Sequence, residues 1–202
     1  MIDNKIEAFL SESEIQSLLE ALNFQHADKK FNKNTQAIAE LLKGVVIPYT
    51  FNDSPISTQI VEYQSGESPR KPSDLLISLR DRIADKIKIK TEHSYLQILN
   101  MESAGSILPH YDASIPGYVN LKANIRLVGQ KDDLFFYHDK VIVINPGDLY
   151  IFEASLYKHW SKQSISSRVT LSFGFMIPYK DLGYHGNEPR LRMSEKIMKK
   201  FK

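Results

Sequence analysis

Residues 168–175 read Arg168-Val169-Thr170-Leu171-Ser172-Phe173-Gly174-Phe175, and this alternation decides the fold class. A period of two puts Arg168, Thr170 and Ser172 on one face of a strand and Val169, Leu171, Phe173 and Phe175 on the other. The apolar side suits a core; the polar side carries a guanidinium and two hydroxyls. Similar runs, rich in β-branched and aromatic residues and divided by turn residues, lie upstream at 95–100, 110–114, 119–128, 134–138, 141–144, 149–152 and 159–163. With 168–176 they make eight candidate strands, and Asn145-Pro146-Gly147-Asp148 is the clearest turn among them. The expected class is mainly β with flanking helices (α+β), built on a sandwich or barrel.

The segment before Tyr95 reads differently. Ser11 and Glu14 have capping-box spacing ahead of Ile15, Leu18, Leu19 and Leu22, which predicts a short amphipathic helix. A second helix is expected from about Thr35, with Ile38, Leu41 and Leu42 on one face and Gly44 as its stop. A third starts at Ser73 and carries Leu75, Leu76, Leu79, Ile83 and Ile87 at helical spacing. Gln64 to Arg70 reads as an exposed loop, and Met193 to Phe201 as a basic helix. The expectation is one domain: a helical layer over 1–92, a β core over 93–178 and a basic extension over 179–202.

Composition narrows the chemistry. The 202 residues include 26 Lys+Arg, 24 Asp+Glu and no Cys, so a disulfide framework, a zinc knuckle and a thiol nucleophile are excluded, and any metal must be held by His and carboxylates. Apolar runs such as Val141-Ile142-Val143-Ile144 are far too short to span a membrane, and no signal pattern opens the chain, so a cytoplasmic site is expected. The net charge of +2 does not advertise nucleic acid, although residues 187–202 are basic.

His110-Tyr111-Asp112 places an imidazole and a carboxylate two residues apart; on a strand both would point to the same face and share a metal ion. With six His and 24 acidic residues, about 0.7 such pairs arise by chance, so the pair gains weight only from a third ligand. His159, in a later strand-like segment, completes a set of two His and one carboxylate, the facial triad of non-haem Fe(II) oxygenases. His138 sits at an expected hairpin tip, and His26, His93 and His185 stand in polar or turn contexts. Arg168, nine residues after His159, supplies a planar fork donor suited to a carboxylate, with Thr170 and Ser172 beside it.

The order His110-x-Asp112, His159, Arg168 resembles the Fe(II)/2-oxoglutarate-dependent dioxygenases. The resemblance covers Tyr95 to Met176 and implies an eight-stranded double-stranded β-helix, a jelly-roll of the cupin type with N-terminal helices packed on it. Leu96-Gln97-Ile98-Leu99 ahead of Gly105 and His110-Tyr111-Asp112, with the opening Phe9-Leu10-Ser11-Glu12-Ser13-Glu14, look like the prolyl 4-hydroxylase branch. Asn124-Ile125-Arg126-Leu127, Pro146-Gly147-Asp148-Leu149-Tyr150-Ile151-Phe152 and Arg168-Val169-Thr170-Leu171 look like the aspartyl/asparaginyl β-hydroxylase branch. Met101 stands where prolyl-branch relatives often carry a Tyr, and Lys131-Asp132-Asp133-Leu134 replaces a Gly-Gly-x-Thr pattern. Gly174 stands where alkylation-repair relatives carry a second Arg.

The resemblance implies that His110, Asp112 and His159 bind Fe(II), leaving positions for 2-oxoglutarate and O2, and that Arg168 with Thr170 or Ser172 holds the distal carboxylate of 2-oxoglutarate. It further implies hydroxylation of an amino acid, a peptide side chain or another small metabolite through an Fe(IV)-oxo species. Arg126, Gln97 and Asn100 are candidate substrate residues, the last two on opposite faces of their strand. Two other readings stay open: oxidative demethylation of nucleic acid, and a cupin-like protein that binds a metal or ligand without turnover.

Overall fold

The computed structural model describes residues 3–22, 44–52, 54–130 and 133–183. Along them run β1 (Asp3–Ile6), α1 (Glu12–Leu22), β2 (Gly44–Thr50), α2 (Pro55–Ser65) and α3 (Asp74–Ile87). Then follow β3 (Ser94–Met101), β4 (Ile107–His110), β5 (Tyr118–Val128), β6 (Leu134–Tyr137), β7 (Lys140–Val143), β8 (Leu149–Glu153), β9 (His159–Ser161) and β10 (Arg168–Pro178). The strands form two antiparallel sheets, a six-stranded one in the order β1-β8-β5-β10-β3-β2 and a four-stranded one in the order β4-β9-β6-β7. Seven of the eight expected strands are β3 and β5 to β10, and with β4 they build the jelly-roll core.

Each sheet face has its own partner. On the outer face of the large sheet, Val169, Leu171, Phe173 and Phe175 of β10 join Leu96 and Ile98 of β3 in a core closed by Leu18 of α1 and Leu76, Leu79 and Ile83 of α3. Between the sheets, Phe135 and Tyr137 of β6 pack on Tyr150 and Phe152 of β8. The alternation read from 168–175 therefore holds, but its polar face is not solvated: Arg168 is 2% exposed and Ser172 4%. Buried polar groups need partners or ligands, so this inner face is where function is expected.

The N-terminal part departs from a purely helical layer, because β1 and β2 close the two edges of the large sheet. Gly44 and Pro48 read as breakers, yet a proline is tolerated on an edge strand, where its missing N–H faces no ladder partner. Instead the Pro48 carbonyl accepts a 2.8 Å hydrogen bond from Arg70 N, and Thr50 N donates to the Arg70 carbonyl. The Gln64 to Arg70 segment is thus the end of α2, a left-handed Gly66 cap and a bridge to β2. Helix α2 itself is an addition to the sequence reading. Near the site, the expected strand 110–114 is corrected: β4 ends at His110 and residues 111–115 are irregular. The expected helices from about Thr35 and over Met193 to Phe201 lie outside the described residues.

The capping box forms as read, Ser11 N donating to Glu14 Oε2 at 2.8 Å. The Asn145–Asp148 turn also forms, with Gly147 at φ 85° and its carbonyl accepting from Leu10 N at 3.0 Å. Asp148 then ties the N-terminus to the sheet: its carboxylate accepts from Ala8 N at 3.0 Å, Asn145 N at 2.9 Å and Lys5 Nζ at 3.0 Å. Burial alone would raise the Asp148 pKa, but these N–H groups and Lys5 lower it below the usual carboxylate value. Its stabilisation is therefore complete above about pH 4 and is lost as pH falls through the depressed folded value. Asp148→Asn is expected to cost about 1.5–3 kcal/mol at neutral pH, roughly 3–12 °C in Tm. Thermal melts from pH 7 to pH 2 check this, the gap from the parent protein shrinking below about pH 4.

Candidate metal centre

Strand pairing brings the two imidazoles together. β4 and β9 are neighbours, and His110 lies directly opposite His159 in their register. Their ring centroids are 4.3 Å apart. Asp112 joins them by a route different from the expected strand alternation. The chain leaves β4 after His110, and Asp112 N donates to the carbonyl of Ala154, just past β8, at 2.9 Å. That bond swings the carboxylate between the rings: Asp112 Oδ1 stands 3.3 Å from His110 Nε2 and 3.6 Å from His159 Nε2. Among the described residues, these three offer ligand atoms within 4.8 Å of one another.

The donor set fits a transition metal. His110 Nδ1 is 2.7 Å from the carbonyl of Leu108, and His159 Nδ1 is 3.3 Å from that of Tyr157. A carbonyl only accepts, so each Nδ1 carries the proton and each Nε2 is directed at Asp112 as a ligand atom. Adjacent ligands on an octahedral ion with bonds of about 2.1 Å lie about 3 Å apart, close to the two spacings observed. His159 is 6% exposed and packs edge-on against Phe152, so the site is walled by aromatic rings on the barrel side.

Charge is concentrated here. Burial would raise the Asp112 pKa, but Lys122 and the two imidazoles hold it well below the usual carboxylate range. Burial opposes protonation of His110 too, and the bond and charge of Asp112 overcome it, raising the His110 pKa. His159 shifts the other way, lowered by burial and by the nearby His110. Lys122 was not among the sequence candidates, although it shares a strand face with Arg126. It is 3% exposed, its ammonium 3.4 Å from Asp112 Oδ2 and 2.8 Å from Gln97 Oε1.

The inner face of the large sheet can be read row by row from its register. Tyr95, Gly174 and Lys122 form one row, Gln97, Ser172 and Asn124 the next, and Leu99, Thr170 and Arg126 a third; Met101 stands opposite Arg168 beyond them. Arg168, Thr170 and Ser172 thus share the face that carries Lys122. Arg168 donates to the Gly105 carbonyl at 2.8 Å, and its Nε is buried with no hydrogen-bond partner. Arg126 faces inward with them, and its guanidinium is paired with Asp133 at 3.0 Å. Burial and the neighbouring Arg168 charge lower its pKa to about 10, with Asp133 opposing. Its Nε is also buried without a partner. Two buried guanidiniums thus stand near one carboxylate, Asp133, which pairs with Arg126, and the local charge is net positive.

Gln97 reaches the centre through Lys122, whereas Asn100 does not. It falls in phase with Leu96 and Ile98, which pack on the helix side of the sheet, so Asn100 is corrected as a mouth residue. His138 lies in the β6–β7 turn at φ 55°. Trp160 points away from the centre and stacks on Phe136 outside the small sheet. His93 is half-buried and bonded to Ser54, not an ordinary surface residue. His26 and His185 lie outside the described residues.

No protein-family model matches the sequence, and no curated protein does. Solved structures do resemble it. A viral collagen prolyl hydroxylase from Paramecium bursaria Chlorella virus-1, in complex with 2-oxoglutarate, matches with a TM-score of 0.58 at 12% identity, over 88% of this chain and 97% of that one. A prolyl hydroxylase from Trichoplax adhaerens, bound to a peptide fragment of the hypoxia-inducible factor oxygen degradation domain, matches with a TM-score of 0.57 at 12% identity, over 91% and 87%. HygX from Streptomyces hygroscopicus, with nickel and 2-oxoglutarate bound, matches with a TM-score of 0.56 at 10% identity, over 87% and 82%. The chain shares its fold with these prolyl hydroxylase and 2-oxoglutarate-bound structures. Among the described residues no helix is long and apolar enough to cross a membrane.

If the cluster is a metal site, substitution of any member should remove it while leaving the fold. His110→Ala, Asp112→Ala and His159→Ala are each expected to lower Fe(II) affinity by at least about 10–100-fold, with a far-UV circular dichroism spectrum like the parent's. Anaerobic Fe(II) titration checks this. A His159→Ala protein with parental affinity would remove His159 from the ligand set.

Proposed function

We propose that the chain is an Fe(II)- and 2-oxoglutarate-dependent oxygenase that hydroxylates an amino acid, a peptide side chain or another small metabolite. The observation that carries this reading is the convergence of His110, Asp112 and His159 on one point, on a fold shared with structures that bind 2-oxoglutarate. His110, Asp112 and His159 would hold Fe(II) with three positions left open. The bound ion, with 2-oxoglutarate and O2, supplies oxidation of a C–H bond coupled to decarboxylation of the keto acid to succinate.

The chain's own residues orient and enclose. Arg168, buried and with an unused Nε, receives the distal carboxylate, and the hydroxyls of Thr170 and Ser172 lie along the same face. Arg126 keeps Asp133 as its partner and adds positive potential beside Arg168. Asp112 supplies a carboxylate where halogenating relatives have a small residue, which favours hydroxylation. The seating of a peptide on the Trichoplax enzyme supports a peptide or amino-acid substrate class. We place the protein in the cytoplasm.

The nucleic-acid reading is weaker. A Cβ on Gly174 would stand 2.1 Å from the Tyr95 ring, so the second arginine of alkylation-repair relatives has no room on this backbone. The cupin-like binding reading is separated by turnover. Iron-loaded protein given 2-oxoglutarate and O2 is expected to form succinate, slowly alone and faster with amino acids or peptides of the right class. Arg168→Ala should weaken 2-oxoglutarate by about 10–150-fold, the equivalent of one charge-assisted hydrogen bond of about 1.5–3 kcal/mol. Succinate release across these classes checks both. No succinate with any class would favour the binding protein, and stimulation by methylated oligonucleotides alone would favour demethylation.

A further inference from the structure

Lys122 is a buried ammonium beside a metal-ligand carboxylate, and its surroundings are built to keep it there. Register sets it opposite Gly174 on β10, and Gly174 opposite Tyr95 on β3. With no side chain on Gly174 the Tyr95 ring lies over that position, and Lys122 Nζ sits 4.7 Å from the ring centroid. The Tyr95 hydroxyl is fixed in turn by Asn120, whose amide also donates to the Ala113 carbonyl at 2.9 Å. The ammonium then donates to Gln97 Oε1 and faces Asp112 Oδ2.

The two oxygens of Asp112 are divided by this arrangement. Oδ1 faces both imidazoles, and Oδ2 faces the lysine. Resting on the metal-site reading above, we infer that Lys122 is a positioning residue that reserves Oδ2 of Asp112, so that the carboxylate offers a metal ion Oδ1 alone. A carboxylate with both oxygens available can chelate through both, and the second oxygen would then take up a coordination position a chelating cosubstrate needs. The same lysine repels a divalent ion across a short, poorly solvated gap. Its loss is therefore expected to act in opposite directions: metal bound more tightly, 2-oxoglutarate bound less well. A lysine that only filled space would weaken both through misfolding, or change neither.

Co(II) is the probe, because its visible spectrum reports coordination number without turnover. Calorimetric titration of Lys122→Met with Co(II) is expected to show affinity about tenfold above the parent protein, with an altered visible spectrum and 2-oxoglutarate binding to the Co(II) form about tenfold weaker. Lys122→Gln loses the charge, and its amide, one bond shorter than an ammonium already 3.4 Å from Oδ2, does not reserve that oxygen; it should change Co(II) affinity, spectrum and 2-oxoglutarate affinity in the same directions as the Met variant. If the Met variant does not fold, the Gln variant carries the test. Parental values in both variants, or weaker Co(II) binding in a folded variant, would overturn the inference. A parent protein that takes up no Co(II) would overturn the metal-site reading and this inference together.

Discussion

Asp112 is a carboxylate held between two imidazoles and an ammonium, and the rest of the molecule is arranged to keep it ionised there. A buried anion without compensation is among the costliest features a fold can carry. Here compensation comes from the Lys122 ammonium on β5 and from His110 on β4, whose pKa Asp112 raises, while His159 on β9 faces the same carboxylate oxygen. The two sheets must therefore keep their spacing for the site to exist. The backbone bond from Asp112 to Ala154 sets the fourth constraint and ties the irregular segment to the end of β8.

That spacing is maintained from the side away from the chemistry. The outer face of the six-stranded sheet is apolar and is clamped by α1 and α3. Because packing energy is concentrated there, the inner face carries Lys122, Arg126, Arg168 and Ser172 in buried positions without losing the sheet. Precision at a site depends on such rigid support behind it. The same economy places Gly174, which pairs with both Lys122 and Tyr95, where an added methyl group would displace the ring the lysine rests on.

Local periodicity made part of this legible. The alternation over 168–175 separated polar from apolar faces correctly, and the spacing of His110, Asp112 and His159 named the residues that converge. Strand alternation accounts for only half of the His110–Asp112 pair, since Asp112 is positioned by a backbone bond from outside any strand. β2 was hidden by Gly44 and Pro48, whose breaker character is harmless at a sheet edge. Lys122 carried no signal of its own, because its meaning depends on an aspartate whose direction is set by tertiary contact. The pairing of Arg126 with Asp133 was hidden for the same reason. Residues whose partners are distant in sequence, such as Gln97 and Lys122, are where pattern reading ends.

His110, Asp112 and His159 are proposed to hold one ferrous ion with adjacent positions open to a keto acid. Anaerobic addition of 2-oxoglutarate to Fe(II)-loaded protein, followed by visible absorption, tests it most directly. A metal-to-ligand charge-transfer band is expected in the parent, saturating at one keto acid per iron and absent in the His159→Ala protein. No band from an iron-loaded parent, or an undiminished band in that variant, would contradict it.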